Sequence, residues 1–343
     1  MYVLVSVPNE AFHRVMRARA LQRKLGIEAS VYRNSSELMR NVEKSFGGRL
    51  VLLDWSNGKI VADTAVEGAS GIAVGQDVIF ASSWTANQVQ VLQPGRRSCI
   101  SHPLFNHLHT VELSSRGTLF IASAGADVIV ELSLDNQLLW HWYGPEHGFD
   151  RPSPSPWVFD PAADYREVRS STSERAMHVT CALPLDDGRV LATLFHQGQL
   201  IVIDRETGGA RVVLDGLQRP HAVHRRPGGF LVSDTLGHRI LLLDESLGLS
   251  GEIPFGSHWL QDTIQTSAGT LLALENVHID QTPEPGLSNQ IVELDPHGRL
   301  LRRLSVPADH RLFTAREIDQ AAAQWIIQDW GLTHGLDAWA WSS

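Results

Sequence analysis

Between residues 219 and 244 the chain reads RPHAVHRRPGGFLVSDTLGHRILLLD, and its apolar positions fall in short runs and period-two alternations, not at helical spacing. A Pro-Gly-Gly turn separates AVHR from GFLVSD, and a glycine-containing turn separates GFLVSD from RILLLD. The stretch therefore predicts three short strands in a meander. The same grammar returns in LHTVELSSRGTLFIASAGADVIVELS (108–133) and in MHVTCALPLDDGRVLATLFHQGQLIVID (177–204). It returns again in QDTIQTSAGTLLALENVHIDQ (261–281) with LSNQIVELD (287–295), and more weakly in 69–92. With Ser70, His109, His178, His221 and Asp262 as equivalent strand starts, the steps are 39, 69, 43 and 41 residues. Four-stranded propeller blades repeat at roughly 40 to 45 residues. The pattern predicts an all-β chain folded as a six-bladed β-propeller. Five blades are visible as repeats, and a sixth is assembled from 49–55 and 59–66 with a strand from one terminus.

Helical spacing enters only at the ends. Phe12, Val15, Met16 and Ala20 predict a helix in 9–26, and SSELMRNVEKSF a second in 35–46, with MYVLVSV and EASVYR as extra strands. Thr314-Ala-Arg-Glu317 has the capping-box pattern and predicts a C-terminal helix running through Trp325 and Trp330. The expected organisation is helical and strand decoration over 1–48, propeller blades over 49–311, and over 312–343 a helical tail packed on the rim.

Composition narrows the partners. The 343 residues carry a formal charge of −9 without long acidic or basic runs, which gives no footprint for nucleic acid and no polybasic membrane patch. No run approaches transmembrane length, and the N-terminal apolar stretch is too short for a secretory signal. Cys99 and Cys181 lie far apart in strand-like text, so two reduced, mostly buried thiols are expected. A cytoplasmic protein with a small-molecule substrate, monomeric or homodimeric, is the expectation.

Pro220, Gly229, Asp234, Thr235, His238, Arg239 and Ile240 give the 219–244 unit its resemblance to the NHL family of propeller repeats. That resemblance implies that His238 and Arg239 belong to the structural repeat. The Pro220-His221 step is similar to one in the peptidyl-hydroxyglycine amidating lyases, propellers in which three histidines at inner-strand starts hold a catalytic zinc. His109 and His178 stand at the corresponding starts of two other blades. In those lyases the ligands come from alternating blades, whereas these three would come from consecutive ones. The lyases' other catalytic residues find no counterpart here, so their particular reaction is not implied. Sugar-acid lactonases and streptogramin-type lyases are further propeller families with channel-mouth metals.

Propeller topology places inner-strand starts and second turns on one face. That face collects His107, His109, His178, His221 and His258, with His196, Asp234, Glu275, Asn276 and His278, and with the long connections 143–176 and 276–289. Neutral imidazoles suit zinc, iron or copper, and three protein ligands leave a position for water or substrate. The expected metal ligands are His109, His178 and His221, joined or oriented by Asp262 or His258. Glu275 is the expected general base, and His196 and Asp234 are expected to orient ligands. His224 faces away from His221 and is expected to serve packing or surface. The functional expectation is a metal-dependent lyase or hydrolase acting on a polar small molecule. The alternative is a non-catalytic propeller that binds a protein or peptide on the same face.

Overall fold

The protein is described by a computed structural model covering residues 1–10, 47–150, 159–168, 175–256, 258–277, 288–332 and 339–342. Strands β1 (Tyr2–Val7), β2 (Arg49–Asp54) and β3 (Lys59–Ala65) open the chain. Blade 1 follows as β4 (Ala69–Gly75), β5 (Val78–Ser83), β6 (Gln88–Gln93) and β7 (Arg96–Ile100). Blade 2 is β8 (Leu108–Leu113), β9 (Leu119–Ser123), β10 (Val128–Leu132) and β11 (Leu138–Tyr143). Blade 3 is β12 (Val179–Pro184), β13 (Arg189–Leu194), β14 (Gln199–Asp204) and β15 (Ala210–Leu214). Blade 4 is β16 (Val223–Arg226), β17 (Gly229–Asp234), β18 (Arg239–Asp244) and β19 (Leu249–Pro254). Blade 5 is β20 (Trp259–Gln265), β21 (Leu271–Asn276), β22 (Ser288–Leu294) and β23 (Leu300–Pro307), extended outward by β25 (Ala340–Ser342). Strand β24 (Ala315–Ile318) then pairs with β1, and β24-β1-β2-β3 is blade 6. The inner strands β4, β8, β12, β16, β20 and β24 touch in cyclic order, which closes a six-bladed propeller around an axial channel.

Blade 6 uses both ends of the chain. Its antiparallel register runs from Val5 opposite Ala315 to Tyr2 opposite Ile318, so the ring draws on residues either side of 49–311. MYVLVSV is a blade strand and not decoration. The capping-box text at Thr314–Glu317 is strand for the same reason: Thr314 N–H donates to Ser6 Oγ at 2.9 Å and Ala315 N–H to Asp262 Oδ2 at 3.0 Å. The helix, α1 (Gln320–Trp330), starts only after Asp319, whose carboxylate accepts the Ala322 N–H. Its Ala322, Ala323 and Ile326 pack with Leu4, Leu50 and Leu52 of blade 6. The helices expected over 9–26 and 35–46, and the strand EASVYR, lie almost wholly outside the described residues.

Six apolar clusters fill the six seams between blades, because each sheet presents one face to each neighbour and buries both. The turn between second and third strands repeats a left-handed residue: Asn87 (φ 51°), Asp127 (φ 57°), Gly198 (φ 66°) and His238 (φ 51°). Asn, Asp and Gly are the residues that tolerate this conformation best. His238 takes the same corner and bridges onward through Nδ1 to the His258 carbonyl at 3.2 Å. Its role in the repeat is structural. Cys181 is buried and Cys99 exposed, so only one of the two thiols is covered. Among the described residues no helix is long and apolar enough to cross a membrane.

Candidate functional site

Hydrogen bonds between blades set the register at the channel. Ser70 Oγ reaches the Leu108 carbonyl at 2.8 Å, and Thr180 Oγ1 reaches the Pro220 carbonyl at 2.9 Å. One strand out, Ser82 Oγ lies 3.4 Å from the His109 carbonyl and Thr193 Oγ1 lies 2.9 Å from that of His221. His109 and His221 therefore hold one position in blades 2 and 4, matched by Ser70 and Thr180 in blades 1 and 3. In β12 and β20 the bulges follow Val179 and Leu260, which places Thr180 and Gln261 at this position. The expected equivalence of His178 and Asp262 with His109 is thus corrected by two residues and by one. Matching histidine to histidine ignored the bulge, which inserts unpaired residues into the strand. In blade 6 the position belongs to Phe313. Its N–H donates to Ser6 O while Ser6 N–H donates to Thr314 O, just as in blade 4 the His221 N–H donates to Ser233 O and the Ser233 N–H to Ala222 O. Alternating blades 2, 4 and 6 thus carry His, His and Phe.

His178 reaches the channel from a different backbone position. It precedes its strand in a left-handed conformation (φ 52°), as do His107 (φ 50°) and Arg219 (φ 56°). Asp127, from the previous blade, holds it there by accepting the Met177 and His178 N–H groups at 3.0 and 2.6 Å. The His178 ring then meets His109 edge-on, with the two Nε2 atoms 3.1 Å apart. His107 lies 5.5 Å from His109 and His196 5.3 Å from His178, measured between ring centres. His221 stacks 6.3 Å from His109. Aromatic side chains wall the group: Phe195 against His178 and His221, Trp259 against His221, and Phe313 against His109. Arg311 lies over Trp259. Sequence reasoning missed these four, although Phe195 and Trp259 adjoin His196 and His258, which it singled out.

Burial decides the charge of these imidazoles. It holds His109 and His178 well below the ordinary histidine range, assisted by their mutual repulsion and by His107, His196, His221 and Arg311. His221 is pushed down to about 3 by burial first and Arg311 second. All three are neutral at physiological pH. The tautomer of His221 follows from its partners: Nδ1 lies 2.8 Å from Thr235 Oγ1 and 3.1 Å from the Arg219 carbonyl. Thr235 donates its one proton to the Leu260 carbonyl at 2.7 Å, so Nδ1 of His221 must carry hydrogen and Nε2 keeps its lone pair. His109 Nδ1 is buried and has no hydrogen-bond partner among the described residues.

The His109–His178 edge suits a metal ion. Two imidazoles on one tetrahedral zinc keep their nitrogens about 3.3 Å apart, from zinc–nitrogen bonds of about 2.0–2.1 Å. Among the described residues, however, no three His, Cys, Asp or Glu side chains converge as a ready metal cluster. The expected fourth groups are turned elsewhere. Asp262 accepts from His224 Nε2 at 2.6 Å, and His258 Nδ1 pairs with Glu275 Oε1 at 3.2 Å. Asp234 is fully buried and committed to the Gln218 N–H and to Arg239 Nε, which makes it a turn clamp. Asn276 clasps both backbone groups of Leu312 at 2.8 Å. His224 is neither surface nor plain packing, since it is buried and hydrogen-bonded to Asp262. Burial, with Glu112, raises Cys181 to about 12 and leaves an inert thiol. Residues 159–168 of the long connection dock beside the mouth, where Asn106 Nδ2 donates to the Val168 carbonyl at 2.8 Å. His278 lies outside the described residues.

No family model matches the chain. No curated protein matches it in sequence. Solved structures match it as a fold. A protein of unknown function from Bacteroides caccae is 15% identical with TM-score 0.56, over 78% of this chain and 95% of that one. A chain of a nidogen/laminin complex is 11% identical with TM-score 0.56, over 92% and 97%. Virginiamycin B lyase from Staphylococcus aureus is 11% identical with TM-score 0.48, over 75% and 86%. At these identities the likeness is one of propeller architecture.

Proposed function

We propose that this protein is an enzyme of the lyase or hydrolase kind, acting on a polar small molecule at the histidine mouth of its channel. His109 and His178 hold a divalent transition metal, zinc foremost with iron or copper as alternatives, and His221 completes the set. The observation that carries this reading is the 3.1 Å approach of two buried Nε2 atoms on imidazoles that burial keeps neutral. When bound, such an ion polarises a carbonyl or lowers the pKa of a water. The protein's own groups do the rest. Thr235 keeps the His221 Nε2 lone pair available, and Asp127 fixes the His178 backbone. Phe195, Trp259 and Phe313 keep water away from the imidazoles, while the His258–Glu275 pair at the rim is placed to move a proton. We place the protein in the cytoplasm, where an exposed Cys99 stays reduced.

Elemental analysis of the purified protein, followed by calorimetric titration of chelator-treated protein with zinc, tests the site. One equivalent is expected for the native chain and none for His109→Ala or His178→Ala. An absence of metal in the native protein together with no zinc uptake would overturn the proposal in favour of a propeller that binds a protein or peptide on this face.

A further inference from the structure

The inner strands end around a second cavity of about 320 Å³, at the channel end away from the histidines. His109 stands near the start of β8 and Glu112 near its end, about 10 Å further along the strand. Glu112, His224 and Arg316 are part of a polar lining that also includes Ser115, Arg225 and Glu317, and Leu183 and Ile264 belong to the apolar wall. Behind them lies an ionic network drawn from four blades. His224 Nε2 donates to Asp262 Oδ1 at 2.6 Å, and Arg316 Nη2 donates to Glu112 Oε1 at 2.5 Å. Arg316 Nη1 stands 4.0 Å from Asp262 Oδ2. Burial raises the Glu112 carboxyl above its ordinary range against the pull of Arg316 and His224. Burial would also raise Asp262, yet His224, Arg316 and the Ala315 N–H together hold it below.

What this network leaves open are acceptors. A carboxylate can only accept, so His224 Nε2 carries the proton of its bond to Asp262. Among the described residues its Nδ1 has no hydrogen-bond partner, although the residue is only 9% exposed and lines the cavity. Glu112 Oε2 likewise has no hydrogen-bond partner among the described residues, since Arg316 takes Oε1. The cations are already turned to partners: Arg316 to Glu112 and the Ala315 carbonyl, Arg225 to Asp186 and the Pro184 carbonyl. An acceptor-lined pocket of small-molecule size that contains a buried carboxylate favours a ligand bringing its own donors and a positive charge. We propose that this cavity binds a small organic cation through a primary ammonium group. The ammonium donates to Glu112 Oε2 and His224 Nδ1, and the ligand's apolar part lies against Leu183 and Ile264. This site is independent of any metal at the histidine mouth.

Calorimetric titration of the full chain with benzylammonium, benzyl alcohol and phenylacetate tests it. Benzylammonium is expected to bind at least ten-fold more tightly than the alcohol, and phenylacetate not at all. Glu112→Gln should weaken benzylammonium at least ten-fold. Ser115→Trp, at an exposed lining position, should weaken it by crowding the entrance without touching the network, and His178→Ala should leave it unchanged. No binding to the native chain, equal affinity for ammonium and alcohol, or unchanged affinity in Glu112→Gln would overturn the proposal. So would a loss confined to His178→Ala, which would put the probe at the other end. Should Glu112→Gln fail to give a cooperative melt, the three-probe ranking on the native chain and the Ser115→Trp result decide the matter.

Discussion

The two ends of the channel bury titratable side chains from the same inner strands, and they do so by opposite means. At the strand starts His109, His178 and His221 are stripped of charge: burial makes the imidazolium form costly, and neighbouring histidines add to that cost for His109 and His178 as Arg311 does for His221. At the strand ends the Arg316 guanidinium stands between the Glu112 and Asp262 carboxylates, and hydrogen bonds from His224 Nε2 and the Ala315 N–H add to it, so Asp262 stays ionised where desolvation alone would protonate it. A propeller axis thus offers two chemically distinct sites on one scaffold. The neutral end presents lone pairs that suit a metal, and the ionic end presents acceptors that suit an ammonium.

The largest expected effect is the response of the neutral end to acid. The folded-state pKa values of the three histidines lie below the unfolded value of about 6.5, so below that pH the unfolded chain takes up protons that the folded chain refuses. Stability is therefore complete above about pH 6.5 and is lost as pH falls toward the folded values. For His221, held at about 3, the loss between pH 7 and 5 is about 2 kcal/mol, and His109 and His178 add to it in the same direction. Glu112 works the other way, since its raised pKa lets the folded chain accept a proton first. Urea unfolding at the two pH values measures the difference, and His221→Phe should remove about 2 kcal/mol of it. A stability independent of pH over this range would erase the contrast between the two ends.

The ionic end should be the more sensitive to losing one partner at neutral pH. Asp262→Ala leaves His224, Arg316 and the Ala315 N–H facing an emptied site, and a cost of about 3–5 kcal/mol is expected in the same unfolding assay. Asp262→Asn, which keeps an acceptor oxygen, should cost less. Zinc gives a third separation. At one hundred times its Kd it should stabilise the native chain by about 2.7 kcal/mol, and the same increment should survive Glu112→Gln but vanish in His178→Ala.

The fold was legible because each blade repeats its own local grammar: two or three strands and their turns lie within about forty residues. Blade 6 was half legible, since β1, β2 and β3 each read as strands while β24 is short and meets β1 only across the whole chain. Thr314–Glu317 reads as a helix start because capping patterns are local, but pairing with β1 overrides it. The histidine mouth was legible as a set of residue types and not as geometry. A bulge shifts register without any mark in the sequence, so His178 took the place of Thr180 and Asp262 that of Gln261. The ionic cavity escaped notice because Glu112, His224, Asp262 and Arg316 come from four blades and share no motif. Strand parity correctly set His224 apart from His221, but it carries no information about what waits on the other side.

The smallest expected effect tests how the neutral end is held in order. Thr235 bridges blades 4 and 5, donating to the Leu260 carbonyl and accepting from His221 Nδ1. Thr235→Val keeps the shape and removes both bonds. His221 Nδ1–H retains the Arg219 carbonyl at 3.1 Å, so the main loss is a buried carbonyl left unpaired, about 1–2 kcal/mol. Stability alone would not distinguish this residue from any other buried hydroxyl. The distinguishing measurement is the nitrogen chemical shift of the His221 ring. The native chain should show the Nδ1–H tautomer alone, the valine variant a mixture, and Thr235→Ser the native pattern again. Zinc affinity should fall in the valine variant and recover in the serine one, because only a fixed tautomer keeps the Nε2 lone pair continuously available. A valine variant with the native ring shifts would mean that the Arg219 carbonyl suffices to set the imidazole. The order at the histidine mouth would then come from blade 4 alone.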